Sequence, residues 1–128
     1  MEIYYETINI NQWNIFEKVQ KVGHIEEFLA TKSMKIGDVI LLCVGQHNKN
    51  YEGGIYAIGE VISAPFVFVE DNDAHCYNRL SVRVKITKIN YSLPFIKYEE
   101  FMQFNNQFRT VHKINEEYYN KILDLINR

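Results

Sequence analysis

The chain has 128 residues, of which 47% are hydrophobic and 23% charged, and its net charge is −2. This balance is typical of an ordinary globular domain and does not by itself indicate a nucleic-acid partner. We expect one domain over residues 1–128, with a core that needs no disulfides.

The lack of a recognisable targeting signal and the two isolated cysteines predict a cytoplasmic protein. No cationic segment followed by an apolar run opens the chain, and the longest apolar run, Val39 to Val44, is too short to span a bilayer. No membrane association is therefore predicted. Cys43 and Cys76 stand apart, outside any CxxC pair, which favours a reducing compartment.

The first half of the chain alternates between strand-like and helix-like patterns. Residues 3–10 are rich in β-branched and aromatic side chains and predict a first strand. Apolar residues recur at helical spacing over 13–33, which predicts two helices separated at Gly23. Gly37 and Asp38 then predict a turn that leads into a buried strand.

Two further strands follow. Residues 53–65, GGIYAIGEVISAP, predict a long strand, although glycine normally weakens a strand interior. We expect Gly59 to mark a point where the sheet bends or admits a neighbour. Residues 80–87 alternate between apolar and polar side chains, which predicts a half-buried strand with a basic outer face.

The C-terminal part predicts a short helix over KYEEFMQF, an extended piece at RTVHKI and a closing helix that begins at Asn115. Strands outnumber helices in the middle of the chain, and no β-α-β alternation occurs. The pattern therefore predicts an α+β fold, with a small curved sheet or barrel and helices packed outside it.

Motifs for common enzyme chemistry are absent from the sequence. It contains no glycine-rich phosphate loop, no GxSxG motif and no HExxH spacing. The segment EDNDAHC suggests a metal loop, but His75 and Cys76 stand where a calcium loop needs Asp or Asn and then Gly, so a solvated acidic loop is favoured. Asp38 and Glu60 are better explained by a turn and a solvent-facing strand position than by nuclease chemistry. We predict no catalytic residue, metal or cofactor.

Basic residues are concentrated in two segments without acids. Residues 74–98 contain no Asp or Glu, and neither do residues 104–114. Basic side chains two apart on a strand lie about 7 Å from each other on one face and suit a phosphate backbone. The predicted phosphate contacts are Arg79, Arg83, Lys85, Arg109 and Lys113. A merely solvated sheet face is the alternative.

Aromatic and amide side chains cluster around predicted strand ends. Trp13 lies between Gln12 and Asn14, at the end of the first strand, while Tyr51 and Tyr56 flank the start of another. Aromatic rings commonly stack on nucleobases while amides contact the base edge. These five residues are the predicted base pocket. Ordinary core packing is the alternative for each ring taken alone.

The order of these segments resembles the EVE domain family, which belongs to the PUA-like group and is related to YTH domains. The resemblance spans residues 34–126 and is carried by KIGDVILLCVGQ, GGIYAIGEVISAP, SVRVKI and FRTVHKINEEYYNKILDLI. It implies a curved mixed sheet or small β-barrel flanked by helices, with a pocket that accepts a flipped, modified base. Similar domains occur at the N-terminus of McrBC-type modification-dependent restriction proteins.

The leading hypothesis is a non-enzymatic reader of a modified, methylated base in double-stranded DNA, working with a fused or partner NTPase or nuclease. An RNA-binding module, a protein or small-ligand interaction domain, and an enzyme acting on a nucleotide are the alternatives.

Overall fold

The computed structural model describes residues 1–45, 50–104 and 111–127. The strands are β1 Ile3–Ile8, β2 Ile25–Leu29, β3 Val39–Val44, β4 Gly54–Val61, β5 Phe66–Val67, β6 Leu80–Ile89, β7 Ile96–Lys97 and β8 Val111–Lys113. The α-helices are α1 Ile15–Lys18, α2 Tyr98–Phe101 and α3 Tyr119–Asn127, and 3-10 turns cover Met102–Phe104 and Glu116–Tyr118. Within these ranges, no helix has the length and apolar character required to cross a membrane.

The strands form one mixed sheet in the order β2-β6-β4-β3-β1-β8, with β5 paired to β6 and β7 paired to β4. β1 runs parallel to β3, and the remaining pairs are antiparallel. The sheet curls, so that Val111 on one edge strand packs against a buried cluster that contains Leu29 on the other edge strand. This architecture confirms the predicted α+β fold, a curved mixed sheet flanked by helices.

Both faces of the central strands β1, β3 and β4 are buried, each against its own core. On β1, Tyr4 and Ile8 point into the concave side with Phe28 and Val82. Ile3 and Tyr5 point to the opposite side, where α2 and α3 cover the sheet. Because side chains alternate along a strand, Glu6 belongs to the concave side with Tyr4 and Ile8. Its side chain is fully buried there.

The two glycines of β4 allow close approach of neighbouring chain segments. The register of β4 against β6 shifts between Ile58 and Gly59, and a Cβ on Gly59 would collide with the Val84 side chain. A Cβ on Gly54 would lie 2.6 Å from the Ile96 carbonyl oxygen of β7. The prediction that Gly59 admits a neighbour where the sheet bends is therefore confirmed.

The prediction of two helices over residues 13–33 is wrong in its second half. Only Ile15–Lys18 is α-helical, while Ile25–Leu29 is an edge strand paired with β6. Gly23 lies in a turn with φ +92°, and its N–H donates to the Ile86 carbonyl. Pairing with β6 gives alternate backbone N–H and C=O groups of this segment a hydrogen-bond partner. The stabilisation from this pairing outweighs the weak preference for a helix that the apolar spacing indicates.

The turn and the C-terminal elements follow the prediction. Gly37 adopts φ +97°, and the buried Asp38 carboxylate accepts hydrogen bonds from the backbone of Lys35 and Glu2. This supports the turn reading of Asp38 over a catalytic one. The closing helix begins after Asn115 through a 3-10 turn.

Candidate nucleic-acid interface

A cavity of about 460 Å³ opens where β1 ends, beside the end of β2 and the loop that precedes β6. Binding sites for small ligands commonly have volumes in this range. Three of the residues predicted for base and phosphate contacts, Gln12, Trp13 and Arg79, line this one cavity. Its other lining residues are Thr7, Asn9, Leu29, Asn72, Asp73, Ala74 and His75.

Trp13 forms an apolar wall of the cavity and is held rigidly. Its ring is only 6% exposed and meets Phe28 edge-on, at 5.7 Å between centroids and an interplanar angle of 85°. The His75 ring lies 5.3 Å from Trp13 at a tilt of 42°. A wall fixed in this way can present a flat surface at little entropic cost to a planar ligand.

Polar side chains surround the opening of the cavity. Gln12 and Arg79 are both exposed, and Arg79 forms no salt bridge with any carboxylate in the described part of the chain. A free guanidinium at the rim is suited to a phosphate oxygen, because it offers several donors in a fixed plane. The cavity thus combines an apolar wall with a cationic rim.

The loop between β5 and β6 closes one side of the cavity and is anchored at its base. Asn78 adopts φ +60°, its N–H donates to the Phe68 carbonyl, and the Phe68 N–H donates to the Arg79 carbonyl. Cys76 is buried within the loop, and burial raises the pKa of its thiol. These contacts hold His75 and Arg79 at the cavity.

Behind the cavity wall, His75 contacts a buried acid. The Nε2 atom of His75 lies 2.6 Å from Oε1 of Glu6, which also accepts a hydrogen bond from the Leu29 N–H at 3.4 Å. Burial raises the pKa of Glu6, against the lowering effects of His75, of the Leu29 N–H and of Arg79. Neither Glu6 nor His75 was predicted as a site residue. The sequence signal for Glu6 is a lone acid within the strand-like segment IYYETI, and the signal for His75 is its place in EDNDAHC, which suggested a metal loop.

Three residues of the predicted base pocket lie elsewhere. Asn14 caps α1, because its side chain accepts a hydrogen bond from the Phe16 N–H. Tyr51 stacks on Phe16 with a centroid separation of 4.5 Å. Tyr56 meets the same ring edge-on, and its hydroxyl donates to the Glu52 carbonyl. These rings form a separate aromatic cluster that also includes Tyr91.

Among the other predicted phosphate contacts, the three that the structure describes do not line the cavity. Arg83 lies 3.9 Å from Glu27 and 4.7 Å above the Phe66 ring. Lys85 is exposed and lies opposite Glu60 in the sheet register. Lys113 pairs with Glu2 at 3.2 Å. Arg109 lies outside the described residues. Arg79 is therefore the predicted cation that the structure brings to the candidate site.

The loop EDNDAHC contributes to the cavity walls. Asn72, Asp73, Ala74 and His75 all line the cavity. Within the described ranges, no group of three or more His, Cys, Asp or Glu residues is arranged to hold a metal ion.

No protein-family model matches this sequence, and no curated protein matches it significantly. Several solved structures match the fold. The protein PSPTO5229 from Pseudomonas syringae superposes with a TM-score of 0.69 at 14% identity, covering 97% of this chain and 99% of that one. Human THYN1, solved in complex with DNA containing 5-methylcytosine, has a TM-score of 0.67 at 12% identity, covering 100% of this chain and 99% of that one.

The YTH domain of Mmi1, solved in complex with RNA, has a TM-score of 0.61 at 13% identity and covers 98% of this chain and 79% of that one. Likeness at such low identity concerns the fold alone. The chain therefore has the curved, PUA-like fold that the sequence resemblance implied.

Proposed function

We propose that this protein is a non-enzymatic reader that binds nucleic acid and accepts a modified base in the cavity beside Trp13. The observation that carries the proposal is the convergence of Trp13, Gln12 and Arg79 on one cavity of about 460 Å³. Trp13 stacks on the extruded base, Gln12 contacts its edge and Arg79 binds a neighbouring phosphate. Flipping a base costs a few kcal/mol, which stacking and edge contacts must offset.

The fold supports the same proposal. Human THYN1 and the Mmi1 YTH domain were solved with methylated DNA and with RNA, respectively, and both share the fold of this chain. Between DNA and RNA, we infer that the ligand is double-stranded DNA carrying a methylated base, because the sequence resembles EVE domains. RNA is the rival ligand.

The experiment is a binding titration by fluorescence anisotropy with three probes of matched sequence. They are a DNA duplex with one central 5-methylcytosine, the unmodified duplex and an RNA strand. We expect the modified duplex to bind more tightly than the unmodified one. Equal affinity for both duplexes would contradict the modification part of the proposal, and a preference for the RNA strand would favour the rival.

Two glutamines provide a matched pair of variants for locating the site. Gln12 lines the cavity, whereas Gln20 lies beyond α1, and both are exposed. Gln12→Ala should reduce the preference for the modified duplex by about fivefold or more, because a hydrogen bond to the base edge is lost. Gln20→Ala should leave it unchanged. If both variants behave like the wild type, Gln12 does not contact the base.

The proposed biological role is DNA targeting in a modification-dependent restriction system in the cytoplasm. In this role cleavage belongs to another domain or subunit. Incubation of the protein alone with modified duplex and Mg²⁺ or Mn²⁺ should therefore give no cleavage product. Turnover by this chain would instead favour an enzyme acting on nucleotides.

A further inference from the structure

The Glu6 carboxyl group is an unusual neighbour for a base pocket. Its side chain has no exposed surface, and its Oε2 atom has no hydrogen-bond partner among the described residues. Its Oε1 atom contacts His75 Nε2 at 2.6 Å. In the sheet register Glu6 lies opposite Leu42 of β3 and Val111 of β8, both apolar. An ionised carboxylate in such surroundings is poorly solvated.

Electrostatics decides which protons the Glu6–His75 pair holds. A buried unpaired charge is far more costly than a neutral or mutually compensated pair. Three forms of the pair have no net charge. In one, a carboxylate faces an imidazolium, and in another the Glu6 carboxyl O–H donates from Oε1 to Nε2 of a neutral imidazole. In the third, the carboxyl proton is on Oε2 and Nε2–H donates to Oε1; this form is disfavoured, because the Oε2 O–H is then a buried donor with no partner among the described residues.

The two favoured uncharged forms share one property, which does not depend on where the shared proton resides. In each of them the Nδ1 atom of His75 carries a hydrogen. Nδ1 is unprotonated in the disfavoured form with the proton on Oε2 and in the form with a net negative charge, where Nε2–H donates to the carboxylate. The raised pKa of Glu6 agrees with retention of the proton by the pair.

We propose that His75, oriented by Glu6, is a specificity-determining hydrogen-bond donor that contacts an acceptor atom of the bound base. This inference rests on the proposed function and adds the chemical class of edge that is read. With Nε2 engaged by Glu6, Nδ1 is the ring nitrogen left for a ligand. A donor suits a ring nitrogen or carbonyl oxygen, such as N3 or O2 of a cytosine, and disfavours an amino group. Glu6 is a positioning residue, because it acts through His75.

The protonation of the pair makes this recognition depend on pH. When the pair loses its proton at high pH, Nδ1 becomes an acceptor and faces the acceptor edge of the base. The preference for the modified base should therefore fall as pH rises. The other polar groups around the pair are Arg79, with a fixed positive charge, Asp73 at the cavity, and the Cys76 thiol, whose pKa is raised by burial.

The first test needs no nucleic acid. Nitrogen-15 NMR of the free wild-type protein at pH 7 distinguishes protonated from unprotonated imidazole nitrogens. We expect a protonated Nδ1 for His75. An unprotonated Nδ1 in the wild type at pH 7 would overturn the inference.

The second test measures the ratio of affinities for the 5-methylcytosine duplex and the plain duplex between pH 5.5 and 9. His75→Asn keeps an amide donor close to the position of Nδ1, so the ratio should stay within a few-fold of the wild-type value and lose its pH dependence. Glu6→Gln/His75→Leu lacks the donor without leaving a buried charge, and its ratio should fall by about tenfold. His24→Asn, outside the cavity, is the control and should match the wild type.

The outcomes separate this inference from the proposed function. If the wild type prefers the modified duplex, yet Glu6→Gln/His75→Leu shows the same ratio at every pH, the inference is overturned and the reader function stands. If the wild type shows no preference, the proposed function fails, and the role of His75 in base recognition fails with it. Circular dichroism of each variant confirms that a reduced ratio of affinities does not result from unfolding.

Discussion

The His75 ring nitrogen Nε2 lies 2.6 Å from Oε1 of Glu6, a residue 69 positions earlier in the chain. The contact joins the loop before β6 to the concave face of β1 and places an ionisable pair directly behind a cavity. Its energetics affect the stability of the fold as well as the proposed recognition of a base.

The buried acid gives the protein a stability that depends on pH. Because burial raises the pKa of Glu6 above its ordinary value of 4.5, the folded protein retains a proton that the unfolded chain releases. The free energy of unfolding should therefore fall as pH rises from about 4.5 through the raised pKa. The limiting slope is about 1.4 kcal/mol per pH unit.

Urea denaturation of the wild type and of Glu6→Gln at several pH values checks this expectation. The substitution replaces the ionisable group by an amide of the same size, so this part of the pH dependence should vanish. Identical pH profiles for the two proteins would show that Glu6 keeps an ordinary pKa.

Asn14 should matter for stability and not for binding. Its side chain caps α1, and replacing such a cap by alanine typically costs about 0.5–2 kcal/mol of stability. Asn14→Ala should therefore lower the urea midpoint, while the folded variant keeps the wild-type affinity for the modified duplex. A loss of affinity for the modified duplex without a loss of stability would instead indicate that Asn14 contacts the base.

Arg79 should contribute to the salt dependence of binding. Each phosphate contact that is lost reduces the slope of log affinity against log salt by about one. Arg79→Gln should show this reduction for modified and plain duplexes alike. Lys88→Gln removes the same charge from a residue that bonds Asn127 at the other end of β6, and its slope should equal that of the wild type. An unchanged slope in Arg79→Gln would remove this residue from the interface.

The crowding at Gly59 predicts a large effect from a single methyl group. Gly59→Ala drives a Cβ into the Val84 side chain and should destabilise the protein by about 1–3 kcal/mol. Val84→Ala removes the obstructing atoms but leaves a gap in the core. The double variant should therefore be more stable than the sum of the two single effects predicts, which a double-mutant cycle by urea denaturation measures. If the two changes in the free energy of unfolding simply add, a Cβ at position 59 does not collide with the Val84 side chain.

The sequence predicts a strand correctly where the local hydrophobic pattern agrees with the strand pairing in the folded protein. Residues 80–87 alternate strictly, and β6 has buried Val82, Val84 and Ile86 on one face. Residues 25–29 could not be read in this way, because the apolar spacing is compatible with a helix and only pairing with β6 makes them a strand. Local periodicity contains no information about a partner almost 60 positions away.

The same limit applies to the candidate site. Trp13, Gln12 and Arg79 were accessible to sequence reasoning because an aromatic, an amide and a cation near strand ends have recognisable chemistry. The Glu6–His75 pair was not accessible, since each residue looks ordinary in its own segment. Tyr51 and Tyr56 have chemistry suited to a base pocket, yet the fold directs them toward Phe16.

The anchored base of the loop before β6 has a consequence for how such a site diversifies. Backbone hydrogen bonds between Phe68 and both Asn78 and Arg79 close the loop at its base. Within the loop Cys76 is buried and His75 contacts an acid of the core, whereas residues 69–73 are all exposed. These exposed positions can change in composition without disturbing the register of the sheet, and two of them line the cavity. Substitutions at five consecutive positions, about 4% of the molecule, can therefore alter the ligand while the rest of the architecture is kept.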